Sequence, residues 1–213
     1  MLRLRLGAVY IDQLKKVDDA VATFKAVYEA NPENEAALGA LERLYKQTSR
    51  YEDLLAIYAK KRELAGNTDE RRTILYSIAR LYVEELKDPK KAVETYKEVL
   101  DETSDDAQAL ASLDELYKGL EDWAAYADVL RKRLELPNED ATIVDLKYRL
   151  GQALEKHLAD ERGALDNYRE ILGLDASHDG ARLAPEGMLE RSELEIKNEV
   201  AGNLEGIYEA RED

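Results

Sequence analysis

Apolar residues recur along the chain at steps of three and four, as in Leu38, Leu41, Leu44 and Tyr45, and no stretch alternates with period two for long. The first pattern lays one apolar stripe along a helix, whereas the second would mark a half-buried strand. The expected structure is therefore all helical. Turn chemistry breaks the pattern at Asn31–Pro32, Lys87–Pro89 and Leu136–Asn138. Asp88 is placed to cap a helix whose first residue is Pro89, a position where a missing N–H costs no hydrogen bond. The connections are about two to six residues long, so successive helices are expected to run antiparallel.

The pattern also repeats. Leu6, Ile78 and Leu150 share a column at a spacing of 72 residues, and so do Gly7, Ala79 and Gly151. Further columns hold Leu14, Leu86 and Leu158; Ala20, Ala92 and Ala164; and Phe24, Tyr96 and Tyr168. A second half-block recurs too. Leu38, Leu41, Leu44 and Tyr45 correspond to Leu110, Leu113, Leu116 and Tyr117, and Tyr51 corresponds to Trp123. Each 72-residue block thus reads as two units of about 36 residues, the period of stacked helical repeats. The small residues fit places where two helix backbones approach closely. The large ones fill the gap to the next helix. A single pair cannot bury both its faces, so stacking supplies the core.

These columns resemble the tetratricopeptide repeat, a helix–turn–helix unit of about 34 residues. The residues that carry the resemblance are Leu6–Gly7, Tyr10, Ala20, Phe24 and Pro32 in the first copy. They are Ile78–Ala79, Tyr82, Ala92 and Tyr96 in the second, and Leu150–Gly151, Leu154, Ala164 and Tyr168 in the third. The loop between the two helices is one residue longer than in the standard unit. The second half-blocks depart from the pattern, with Leu41–Glu42 and Leu113–Asp114 in place of the small-residue pair. The likeness is greatest to long tandem bacterial arrays. It implies a right-handed α-solenoid of about twelve antiparallel helices. The expected organisation is a first double repeat over 1–68, a second over 69–140, a third repeat over 141–177 and divergent helices over 178–213. The blunt ends lead to the expectation of a piece of a longer array.

The last block breaks the pattern. Aligned without a gap, Pro185 falls in the column of Leu41; with one residue inserted, Leu183 and Leu189 take the columns of Leu38 and Leu44. In either register a proline sits within a helical pattern, so a short or bent helix is expected over 181–190. Ser192 and Glu195 have the spacing of a capping box that opens a final helix. With Gly202 and Gly206 beyond it, the segment from 178 to 213 is expected to open first.

Composition narrows the function. The chain of 213 residues carries a net charge of −15, which opposes binding to nucleic acid. Its charges are interleaved along helices, as on a solvated, ion-paired surface. It has no cysteine, which excludes disulfides and thiolate chemistry. No apolar run is long enough to span a membrane, and cytoplasm is the default compartment. His157 is followed by Asp160 and Glu161 at helical spacing, but no second histidine lies near enough to complete a metal site. No catalytic, cofactor-binding or metal residues are assigned, and the chain is expected not to be an enzyme.

Most tyrosines lie in core columns: Tyr10, Tyr28, Tyr45, Tyr82, Tyr96, Tyr117 and Tyr168. Tyr76 and Tyr148 stand two positions before the column of Ile78 and Leu150. The resemblance implies that such positions face a concave groove. Carried across, the groove residues are Arg43, Lys46, Tyr76, Arg80, Val83, Lys118, Tyr148 and Gln152, with Glu115 and Glu155 beside them. Tyrosine and arginine are frequent binding anchors. The expected function is a non-catalytic scaffold that holds a protein partner's peptide or helix, without cofactor, membrane or nucleic acid. The alternative is a structural spacer that associates end to end. A role with RNA, suggested by Trp123 and Tyr126, stands against the acidic charge.

Overall fold

The computed structural model describes residues 2–191, together with 201 and 202. Among the described residues there are eleven α-helices and no strand. The chain divides into two compact units, Met1–Glu102 and Thr103–Asp213.

The first unit holds α1 (Leu2–Asp12), α2 (Val17–Ala30), α3 (Glu35–Gln47), α4 (Tyr51–Leu64), α5 (Thr68–Glu84) and α6 (Pro89–Glu102). Each packs on the helix before it, from α1 on α2 through to α5 on α6. The small-residue columns lie where the sequence placed them: Ala20, Ala79 and Ala92 are fully buried. Gly7 lies against the Phe24 ring so closely that a Cβ there would stand 2.6 Å from it. The core also takes Leu38, Leu41, Leu44, Tyr45, Leu54, Ile57 and Tyr58. Tyr10, Tyr28 and Tyr82, expected in the core, are only half buried, as is common for a ring with a polar tip.

The second unit holds α7 (Ala107–Gly119), α8 (Trp123–Leu134), α9 (Asp140–His157), α10 (Glu161–Leu174) and α11 (Asp179–Arg191). Again each helix packs on its chain neighbour. Tyr168, Leu146, Leu165, Ile171 and Ala164 are fully buried.

Side-chain caps mark several of the helix starts, though α2, α4 and α9 begin without one. Asp88 accepts the Lys91 N–H at 3.1 Å ahead of Pro89, as expected. Asn34 and Asp106 do the same at equivalent positions of the two units, accepting from Ala37 and Ala109. The third equivalent position holds His178, whose Nδ1 accepts the Ala181 N–H at 3.0 Å.

The helix stops explain the longer loop. Lys15, Lys87 and Ala159 are left-handed residues with φ between 52° and 54°, and Ser49 and Glu121 are their counterparts at 54° and 57°. After Ser49 and Glu121, the next N–H bonds back five residues, Arg50 to Tyr45 and Asp122 to Tyr117, in the ordinary helix-ending motif. After Lys15, Lys87 and Ala159 it bonds back six, as Asp88 does to Tyr82. The extra residue of the first half-blocks is therefore taken up inside the helix-ending turn.

Pro185 does not shorten its helix. The element spans 13 residues, as α3 and α7 do, with Pro185 inside it. The ungapped register is the one adopted: Ala181 and Met188 are fully buried, Pro185 is buried in the column of Leu41, and Leu183 is 50% exposed. A proline ring fills a core position while forfeiting one hydrogen bond. The capping box at Ser192 and Glu195, and Gly206, lie outside the described residues, which cover the final segment only over 178–191 and at 201 and 202.

Candidate protein-binding surface

In the first unit, Arg43, Lys46, Arg80 and Val83 are all exposed, on α3 and α5. Lys46 and Arg80 line one cleft of about 240 Å³, together with Leu54, Tyr58, Ser77 and Glu84. Arg80 is held only loosely: its Nε stands 3.7 Å from Glu84. Tyr76 lies outside this cleft. It is half buried, edge-on to Tyr96 at 5.8 Å.

In the second unit Lys118 is exposed and Gln152 half buried. Tyr148 is packed between Tyr168 at 6.1 Å and His178 at 4.9 Å, with its hydroxyl against Gly180. Glu155 accepts a 2.6 Å hydrogen bond from Tyr168. Burial, with the neighbouring Tyr148, pushes the Tyr168 hydroxyl well above the usual tyrosine range. The structure thus brings Lys46 and Arg80 together, whereas Tyr76 and Tyr148 also pack against the second helices of their own repeats.

A repeated charged cluster went unread in the sequence. Asp114, fully buried, binds Arg133 of α8 and Arg149 of α9. Arg149 also donates to the Tyr126 hydroxyl at 3.0 Å. Burial pushes the Asp114 carboxyl up, against the pull of both guanidiniums. Burial also works to lower Arg149, but Tyr126 and Asp114 outweigh it and hold its pKa above the ordinary value. One block earlier, Glu42 takes the place of Asp114. It accepts from Lys61 at 2.7 Å and from Lys46 at 2.8 Å. The signal was available: an acid replaces the small residue in both second half-blocks, and a base follows 19 residues later in each. Tyr126, once considered for RNA, is buried in this cluster, and Trp123 is covered by the stacked His157 ring at 3.7 Å.

Burial pushes Glu42 up, but the hydrogen bonds and charges of Lys46 and Lys61 prevail and hold its carboxyl below the usual range. Below the ordinary glutamate pKa the unfolded chain takes up a proton that folded Glu42 still refuses. This contribution to stability is therefore present at neutral pH and lost as pH falls through the folded pKa. Glu42→Gln should lower the thermal midpoint at about pH 7, and by progressively less as the pH falls below the ordinary glutamate range. A loss that stays constant as the pH falls, followed by circular dichroism, would count against the ion pairs.

Tetratricopeptide-repeat family models match residues 2–34 and 73–106. These two stretches of the chain are similar to the tetratricopeptide repeat, and the described residues form an all-α fold of successive helices. Among solved structures it is similar to YrrB, described as a TPR protein with an unusual peptide-binding site. The identity is 15%, with 86% of this chain and 90% of that one covered and a TM-score of 0.45. It is also similar to MamA from Desulfovibrio magneticus RS-1, at 17% identity, 84% and 96% coverage and a TM-score of 0.43. A tetratricopeptide repeat protein from Parabacteroides merdae shows 18% identity, 96% and 87% coverage and a TM-score of 0.46. No curated protein matches. Tetratricopeptide repeats in general form protein-interaction scaffolds. Among the described residues no helix is long and apolar enough to cross a membrane.

Proposed function

We propose that the protein is a non-catalytic scaffold that holds a peptide or helix of a partner protein on the face formed by α3 and α5. The supporting observation is the cleft shared by Lys46 and Arg80, two cations on the first helices of successive repeats. Arg80 is 66% exposed and can swing from Glu84 to a ligand carboxylate or carbonyl at small cost. Val83, 39% exposed, supplies an apolar contact one turn further along α5.

A photo-crosslinking residue at position 83 should capture a partner that one at position 132, on α8, does not. With that partner in hand, Tyr76→Ala combined with Arg80→Ala should weaken binding about tenfold or more, and leave the helical circular dichroism unchanged. Unaltered affinity in the double variant would remove the α3–α5 face as the site.

A structural role through self-association is the second reading. It is favoured by Leu2, Leu6 and Leu14 of the α1 region, which are 84%, 44% and 52% exposed. Light scattering over a wide concentration range decides it: a constant monomer mass ends this reading.

A further inference from the structure

A second cleft in the first unit lies at the opposite ends of the same helices. It has a volume of about 560 Å³, within the range of about 300–1,000 Å³ typical of ligand sites. Its apolar lining comes from Leu38 of α3, Leu64 of α4 and Ile74 of α5, with Ala65 in the connection. Three acids stand around it, Glu35, Asp69 and Glu70. The only base in the lining is Lys61, and its ammonium is already engaged by Glu42 at 2.7 Å. Glu70 accepts the Gly66 N–H at 2.9 Å, and Asp69 pairs with Arg72 at 2.9 Å. Glu35 is exposed at the first residue of α3.

Acids in the first turn of a helix are often explained by the helix dipole alone. The second block separates the apolar lining of the cleft from these three acids. One period later the positions of Glu35, Asp69 and Glu70 hold Ala107, Ala141 and Thr142, while Leu38, Leu64 and Ile74 become Leu110, Leu136 and Leu146. The apolar floor is kept and the acids are dropped. The helix α7 forms with no acid in its first turn, so a helix in the place of α3 does not require Glu35, whereas α9 keeps one acid, Asp140. The cleft between α3, α4 and α5 thus joins an apolar lining to three acids, and of their three columns that of Glu35 is acidic again at Asp179 in the third block.

We propose that this cleft binds a peptide segment of a partner protein in which arginine or lysine alternates with large apolar side chains. The apolar residue would cover Leu64, which is 37% exposed, and Ile74. The basic residue would reach the carboxylates of Glu35 and Asp69. The two groups of one ligand answer the two parts of the cleft, and an acidic peptide would be repelled by the same rim. The site is separate from the α3–α5 face that carries Lys46 and Arg80.

The test uses the full chain and two fluorescent peptides, acetyl-Leu-Arg-Leu-Arg-amide and acetyl-Leu-Glu-Leu-Glu-amide. The basic peptide should bind, with weaker affinity at high salt, and shift the methyl resonances of Leu38, Leu64 and Ile74. The acidic peptide should not. Glu35→Lys with Asp69→Lys should weaken binding at least tenfold. Thr73→Trp, which fills the cleft without changing its charge, should do the same. Ala107→Lys, at the matching place of the other block, should have no effect, and neither should Tyr76→Ala with Arg80→Ala. Equal binding of both peptides, or insensitivity to both cleft variants, would overturn the proposal. So would displacement of the basic peptide by self-association of the chain, since a second copy would then be the occupant. Because the α3–α5 variants leave this probe untouched, failure here is distinct from failure of the scaffold reading.

Discussion

Asp114→Ala is expected to cost about 3–5 kcal/mol, the range for removing one partner from a buried ion pair. Arg133 and Arg149 both end on this carboxylate, and their side chains are only 22% and 19% exposed. Alanine would leave the two guanidiniums without the carboxylate between them, and only Arg149 would keep other acids near, Asp145 at 3.5 Å and Glu115 at 3.9 Å. The loss therefore measures stranded charge more than the worth of the salt bridges themselves. A variant that removes all three charges together, with Asp114→Leu, Arg133→Met and Arg149→Leu, should recover most of it. Trp123 is the chain's one tryptophan and sits in α8, so its fluorescence during urea unfolding reports on this unit. Glu42→Ala should cost less, because the Glu42 side chain is 19% exposed and water can replace its partners. If Asp114→Ala lowered stability by less than about 1 kcal/mol, the cluster would be ordinary surface pairing.

Gly151→Val should cost about 3 kcal/mol. A Cβ at this position would lie 2.7 Å from the Tyr168 ring. That ring is fully buried, and its hydroxyl is tied to Glu155 at 2.6 Å, so it has no room to retreat. Gly151→Ala meets the same ring but gains about 1 kcal/mol of helix propensity, so its net loss should be smaller. Combining Gly151→Val with Tyr168→Leu should restore part of the stability, since the smaller side chain vacates the contact. Urea unfolding followed by circular dichroism measures the series. A Gly151→Val chain as stable as the parent would mean that α9 and α10 do not approach as closely as described.

The repeat columns were legible in the sequence because each copy solves the same local problem. Ala20, Ala92 and Ala164 are fully buried where pairs of helices meet, and periodicity alone places them there. Asp88 with Pro89 was legible for the same reason: capping is settled within four residues. What lies between helices was not. Glu42 and Asp114 read as departures from a small-residue column, since an acid on a helix usually faces water. Only the packing of α7, α8 and α9 shows that two arginines converge on Asp114 and make its burial tolerable.

The register after Ala181 divides along the same line. Sequence spacing allowed two alignments, and burial of Pro185 and Met188 with exposure of Leu183 selects the ungapped one. Likewise, Lys46 and Arg80 were implied as groove residues by the tetratricopeptide resemblance, but that they line one cleft, and that Tyr148 is packed against His178, are facts of helix packing. The sequence by itself determined helix class, period, caps and small-residue contacts, all of which depend on residues within a turn or two of one another. The tertiary structure decided the ion-pair clusters, the clefts and the fate of each tyrosine. Those depend on side chains from two or three helices meeting at distances that no single helix specifies.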